Sequence, residues 1–201
     1  MHRYGPTTVL IVVDVQNDFA DPAGSLYVRG GEQVVECVNA EIEAATRARA
    51  RIVCTQDWHP EHTPHFERDG GIWPVHCVAG TWGAELHPAL RVPDTATVIR
   101  KGANGEDGYS GFTMRDPVTG ETVPTALEPL LREAGVTDVV VAGLATDYCV
   151  KETALDARRL GFATTVLTDA VAAVDLQPGD GEAALAALRD EGAVLATTQP
   201  V

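Results

Sequence analysis

Residues 7–13 read TTVLIVV, and aspartate follows at position 14. Five consecutive aliphatic side chains leave no polar face to turn toward water. The run therefore reads as a strand buried on both sides, the kind found in parallel sheets covered by helices. Similar short runs recur at 52–55 (IVCT), 96–100 (ATVIR), 138–143 (DVVVAG), 163–168 (ATTVLT) and 193–197 (AVLAT). Helical stretches lie between them. In 31–50, Val34, Val35, Val38 and Ile42 recur near the helical period. The stretch 124–134 opens on proline and ends before Gly135, 146–160 stops at Gly161, and 181–191 closes at Gly192. This alternation predicts an α/β fold: an open, mainly parallel six-stranded sheet with helices on both faces.

A chain of 201 residues fits one large α/β domain. No repeat, linker or low-complexity tract divides it, so a single domain over 1–201 is expected. Asp and Glu number 29 against 15 Lys and Arg, a net charge of −14. That balance speaks against non-specific nucleic-acid binding and against a basic membrane-surface protein. The apolar run 9–13 is far too short to span a bilayer, and residues 1–6 lack a signal-peptide pattern. Cys37, Cys54, Cys77 and Cys149 form no C-x-x-C pair. Reduced thiols in a cytoplasmic protein are the expectation. A homo-oligomer is compatible with all of this. The only lysines are Lys101 and Lys151.

In open parallel sheets, ligands bind beyond the carboxyl ends of the strands. The predicted strands carry reactive side chains at those ends. The first ends in Asp14, the second in Asp57-Trp58-His59, the third in Lys101, and the fourth in Gly143-Leu144-Ala145-Thr146 with Cys149 close behind. A cysteine early in a helix lies near the positive end of the helix dipole, which favours thiolate, and a nearby lysine favours it further. Asp14 has the chemistry of a general base for such a nucleophile. The long irregular segment 56–93 holds His59, His62, His65 and His76, four of the chain's six histidines. Together with Asp57 they offer oxygen and imidazole ligands suited to one divalent transition metal such as Zn²⁺, Fe²⁺ or Mn²⁺. The residues alone leave open which of the four bind. A second irregular segment spans 102–123.

Several blocks along the chain together carry a resemblance: VDVQNDF (13–19), DWH (57–59), HF (65–66), WPVHCV (73–78), KG (101–102), YSGF (109–112) and GLATDYCV (143–150). In order and spacing the chain resembles the nicotinamidase/pyrazinamidase branch of the isochorismatase-like cysteine hydrolases. The resemblance implies a three-layer sandwich and hydrolysis of nicotinamide, and of pyrazinamide, through a thioester in NAD salvage. It implies a catalytic triad of Asp14, Lys101 and Cys149, and metal ligands Asp57, His59, His65 and His76, with His62 a bystander. It implies a cis peptide at Leu144–Ala145 and an oxyanion hole from the N–H groups of Ala145 and Cys149. Phe19, Trp73, Tyr109 and Leu144 are expected to contact the substrate. Another amidohydrolase of the superfamily, acting on carbamoyl or ureido groups, needs no histidine cluster. An inactive binding or metal-storage protein on the same fold is free to lose the triad.

Overall fold

The computed structural model describes residues 4–198. The outer ends of the expected 1–201 domain, and part of the 1–6 stretch read for a leader, lie outside the described residues. The strands are β1 (Thr8–Val13), β2 (Arg51–Asp57), β3 (Thr97–Lys101), β4 (Thr113–Arg115), β5 (Thr122–Pro124), β6 (Asp138–Leu144), β7 (Ala163–Ala172) and β8 (Val194–Ala196). The α-helices are α1 (Asn17–Ala20), α2 (Gly31–Arg47), α3 (Leu127–Glu133), α4 (Lys151–Arg159) and α5 (Asp180–Asp190). Six strands form one sheet in the order β3-β2-β1-β6-β7-β8, and every pairing in it is parallel.

The period-2 alternation of a strand explains the layers. Leu10 and Val12 of β1 pack with Val34, Val35, Val38 and Ile42 of α2. Val9, Ile11 and Val13 face the other way, onto Leu127 and Leu131 of α3, Ala154 and Ala157 of α4, and Leu188 of α5. Residues Val9 to Val13 are fully buried, as a strand covered on both faces must be. The chain steps outward from β1 to β2 and β3 on one side, and from β6 to β7 and β8 on the other. The reversal falls between β1 and β6, which opens a crevice at their carboxyl ends.

Four local expectations give way to tertiary context. Pro124 does not open a helix. It ends β5, pairing with Thr113 across an antiparallel hairpin inside the segment expected to be irregular. The helix starts later, at Leu127, whose N–H bonds the Thr125 hydroxyl at 3.1 Å. The stretch 146–160 is a π-turn, Thr146–Val150, running into α4. Finally, β2 and β7 run past their expected ends. The β6–β7 pairing jumps from Val141↔Val166 to Gly143↔Val171, so β7 absorbs extra residues and resumes pairing near the crevice. Its Asp169, just past the expected run 163–168, sits inside the strand.

Candidate active site

The sheet register assembles the site. Val13 is paired with Gly143, and Asp57 with Lys101. The residues just beyond or at those pairs therefore meet on one rim. Close approach of β1 and β6 demands glycine at 143: its φ is +120°, and a Cβ there would lie 2.1 Å from the Val13 carbonyl oxygen. The Leu144–Ala145 peptide that ends β6 is cis. Asp14 leaves β1 with φ 47°, a left-handed conformation uncommon for a side-chain-bearing residue. Its backbone N–H donates to Thr55 Oγ1 at 3.2 Å.

Lys101, 1% exposed, is the hub. Its Nζ donates to Asp14 Oδ2 at 2.7 Å, to the Tyr109 carbonyl at 3.2 Å and to Cys149 Sγ at 3.5 Å. Asp57 Oδ1 lies 2.9 Å from the same nitrogen, so a second carboxylate shares the ammonium. Thr55 Oγ1 donates to Asp14 Oδ1 at 2.5 Å. Oxygens of Asp14 and Asp57 and the Cys149 sulfur all lie within 4.8 Å of one another.

Two carboxylates around one ammonium divide its charge unequally. Burial raises the pKa of Asp14 despite Lys101. Asp57 is driven well below the carboxylate range, because Lys101, His59 and His76 together outweigh its burial. Pairs pushed apart in this way mark one group as the proton carrier and the other as a fixed charge. Cys149 corrects an expectation. Its thiol is pushed well above the ordinary value by burial, with Asp14 and Asp57 adding to the effect and Lys101 opposing it. Burial thus works against the thiolate, and the sulfur sits in a π-turn rather than in the first turn of α4.

Beside this group His59, His65 and His76 each offer a ring nitrogen, and the three lie within 4.8 Å of one another. His76 Nδ1 is 2.7 Å from the Pro74 carbonyl, and His65 Nδ1 is 2.7 Å from Asp107 Oδ1. Both acceptors hold the proton on Nδ1 and leave Nε2 free. His59 is 2% exposed, and neither of its ring nitrogens has a hydrogen-bond partner. A buried imidazole with two orphaned nitrogens is costly unless a cation takes one of them. Asp57 Oδ2 stands 3.9 Å from His59 Nε2, so this carboxylate bridges the lysine group and the histidines. Gly102 (φ +75°) backs onto the same ring: a Cβ there would lie 2.7 Å from His59 Nδ1. His62 is exposed, bonds Asp69, and stands apart from the group.

Burial lowers the pKa of His59 to about 4, against 6.5 for a free imidazole, with Asp57 opposing the shift. Between those values the unfolded chain binds a proton that the folded chain refuses. Folding is therefore weakened as pH falls from about 6.5 toward 4. Melts of the chelator-treated protein across that range are expected to show a falling midpoint, with a shallower slope in His59→Gln. Equal slopes would mean that His59 titrates normally.

A cleft opens beside the two groups. Phe19, Trp73, Tyr109, Leu144, Ala145 and Cys149 line it, as do Asp57, His65 and His76. Trp73 Nε1 donates to the Tyr109 hydroxyl at 3.0 Å. Tyr148 completes the walls together with Leu26, Val28 and Val174, three residues that sequence reasoning missed. That reasoning also missed Gln16, whose side-chain amide accepts from the Asp57 N–H and donates to the Asp57 carbonyl, each at 2.8 Å. A buried amide two residues from Asp14, inside the VDVQNDF block, was the available signal.

A family profile described as an isochorismatase domain matches residues 8–200. The chain belongs to the isochorismatase family. Among isochorismatase-family relatives, the Escherichia coli nicotinamidase is 36% identical, the match covering 96% of this chain and 95% of that one. The crystal structure of pyrazinamidase of Pyrococcus horikoshii in complex with zinc superposes with a TM-score of 0.85 at 40% identity, covering 96% of this chain and 99% of that one. The structure of PnC1 from L. infantum in complex with nicotinate gives 0.86 at 42% identity, covering 96% and 93%. No helix among the described residues is long and apolar enough to cross a membrane.

Proposed function

We propose that this chain is an amidase that hydrolyses nicotinamide to nicotinate and ammonia. The observation that carries the reading is the juxtaposition of a buried Asp14–Lys101–Cys149 group with three clustered histidines, beside a cleft that Cys149, His65 and His76 line. The relatives named above supply the substrate class.

The chemistry follows from the geometry. Asp14, the carboxylate with the raised pKa, takes the Cys149 proton as the sulfur attacks the carboxamide carbon. Lys101 touches both partners and offsets the negative charge that passes between them. The backbone N–H groups of Ala145 and Cys149 hold the developing oxyanion. Asp14 then returns the proton to the departing nitrogen, ammonia leaves, and a nicotinoyl thioester remains on Cys149. Water attacks the thioester with Asp14 again as base, nicotinate leaves, and the thiol is restored. Phe19, Trp73 and Tyr109 enclose the ring, while Leu144 and Ala145 line the wall beside the sulfur.

His59, His65 and His76, with Asp57 beside them, would hold one divalent transition metal, zinc, iron or manganese. When bound, it supplies a Lewis-acid position for the pyridine nitrogen. Enclosing the ring among Phe19, Trp73 and Tyr109 while presenting the carboxamide to Cys149 is an orientation effect. The reaction suits a cytoplasmic step of NAD salvage, and pyrazinamide fits the same site.

The test is ammonia release from a panel of aromatic and ureido amides, with elemental analysis of the same sample. Expected are turnover of nicotinamide, about one metal per chain, and loss of that metal in His76→Ala with the fold retained. Preference for ureido substrates would move the assignment to another amidohydrolase. Protein without metal after reconstitution with Zn²⁺, Fe²⁺ or Mn²⁺ would refute the metal reading.

A further inference from the structure

The three histidines are held unequally. His76 leans on a neutral carbonyl, His59 on nothing, and His65 on a carboxylate. A carboxylate ion only accepts, so Asp107 fixes the His65 proton on Nδ1 and directs the Nε2 lone pair away from itself. Asp107 is itself held from several sides. The Gly108 N–H donates to its Oδ1 at 2.8 Å, and Arg115 Nη2 donates to its Oδ2 at 3.1 Å. Its backbone exchanges two hydrogen bonds with Arg115, at 2.8 and 2.5 Å. Arg115 belongs to the β4–β5 hairpin, which lies outside the main sheet and contributes no wall to the cleft. The hairpin places a charge behind one histidine.

We infer that Asp107 is a positioning residue: by holding His65 through Nδ1 it aims Nε2 at the His59–His76 centre and sets how tightly that centre holds a divalent cation. The inference rests on the metal reading above. A carboxylate behind an imidazole fixes its tautomer and ring orientation and makes it a stronger donor. Without that partner the His65 ring is free to turn, and its proton is free to move to Nε2. Asp107 reaches the centre only through His65, and it does not line the cleft.

The experiment measures Zn²⁺ affinity by competition with a chromophoric chelator, on the full chain, for wild type, Asp107→Ala, Asp107→Asn and His65→Ala. Asp107→Ala is expected to bind Zn²⁺ about 10–100-fold more weakly. Asp107→Asn, which keeps an acceptor oxygen but not the charge, is expected to fall between it and wild type. Because asparagine preserves shape, it reports even if the alanine variant folds poorly. Co²⁺ loaded in place of Zn²⁺ gives a readout that a purely structural role would not move: Asp107→Ala should shift the visible bands toward those of His65→Ala. Wild-type Zn²⁺ affinity in Asp107→Ala overturns the inference, as does wild-type affinity in His65→Ala. Neither result depends on which amide is hydrolysed. A wild-type protein that takes up no Zn²⁺ instead overturns the metal reading, and the inference with it.

Discussion

Replacement of Cys149 by alanine is expected to lower nicotinamide hydrolysis by on the order of 10⁴-fold or more, with the fold intact. The substitution removes one sulfur from a packed position, a change that costs about 1 kcal/mol of stability. It also removes the only sulfur among the described residues that line the cleft. Cys54 and Cys77 are fully buried elsewhere, and the partly exposed Cys37 belongs to α2. Cys149→Ser is expected to be nearly as inactive. A serine hydroxyl is far harder to deprotonate than a thiol, and Asp14 remains a carboxylate. Iodoacetamide should inactivate by modifying Cys149, with nicotinamide protecting it, as peptide mass mapping would show. Near-wild-type activity in Cys149→Ala would refute covalent catalysis.

The second large effect is discrimination between rings. Nicotinamide and pyrazinamide each carry a nitrogen meta to the carboxamide-bearing carbon, while benzamide has the same shape and scissile bond without it. A site built for a polar contact rejects an analogue that cannot make it, because its own polar groups are left unmatched. Benzamide is expected to react at least about a hundredfold more slowly, the scale of a lost polar contact of roughly 3 kcal/mol. Phe19 and Trp73 would still enclose its ring, so a loss of aromatic contact does not explain the difference. The measurement is the ratio of kcat/KM for nicotinamide over benzamide. A ratio near one would show that the ring nitrogen goes unrecognised. Collapse of a high ratio in His59→Ala, with Cys149 still reactive, would place the recognition at the histidine centre.

Both predictions draw on residues that were visible in the sequence, and for a physical reason. A strand buried on both faces must be apolar throughout, so TTVLIVV announces itself, and so does the charge that ends it. Because parallel strands carry their active ends to one rim, Asp14, Asp57, Lys101 and Cys149 group together on sequence order alone. What could not be read were pairings between distant, individually unremarkable residues. Thr55 beneath Asp14 and Asp107 behind His65 depend on register and on a hairpin whose strands are only three residues long. Pro124 misled because proline suits a helix start and a strand end equally well. The Cys149 thiol misled in the other direction: a helix dipole and one lysine were weighed, but the burial and the second carboxylate that outweigh them appear only in three dimensions.

The contact between Gly143 and the Val13 carbonyl ties the chemistry to the architecture. The residue that lets β1 and β6 close is separated by a single peptide from the cis bond, and its strand partner immediately precedes Asp14. Seam and catalyst are therefore one piece of masonry. Effort to make the molecule sturdier has free play in the outer helices and edge strands, whereas a bulkier residue at 143 would wedge the central joint open. The same wedge would carry the carboxylate away from the sulfur, so durability and turnover would fail together there.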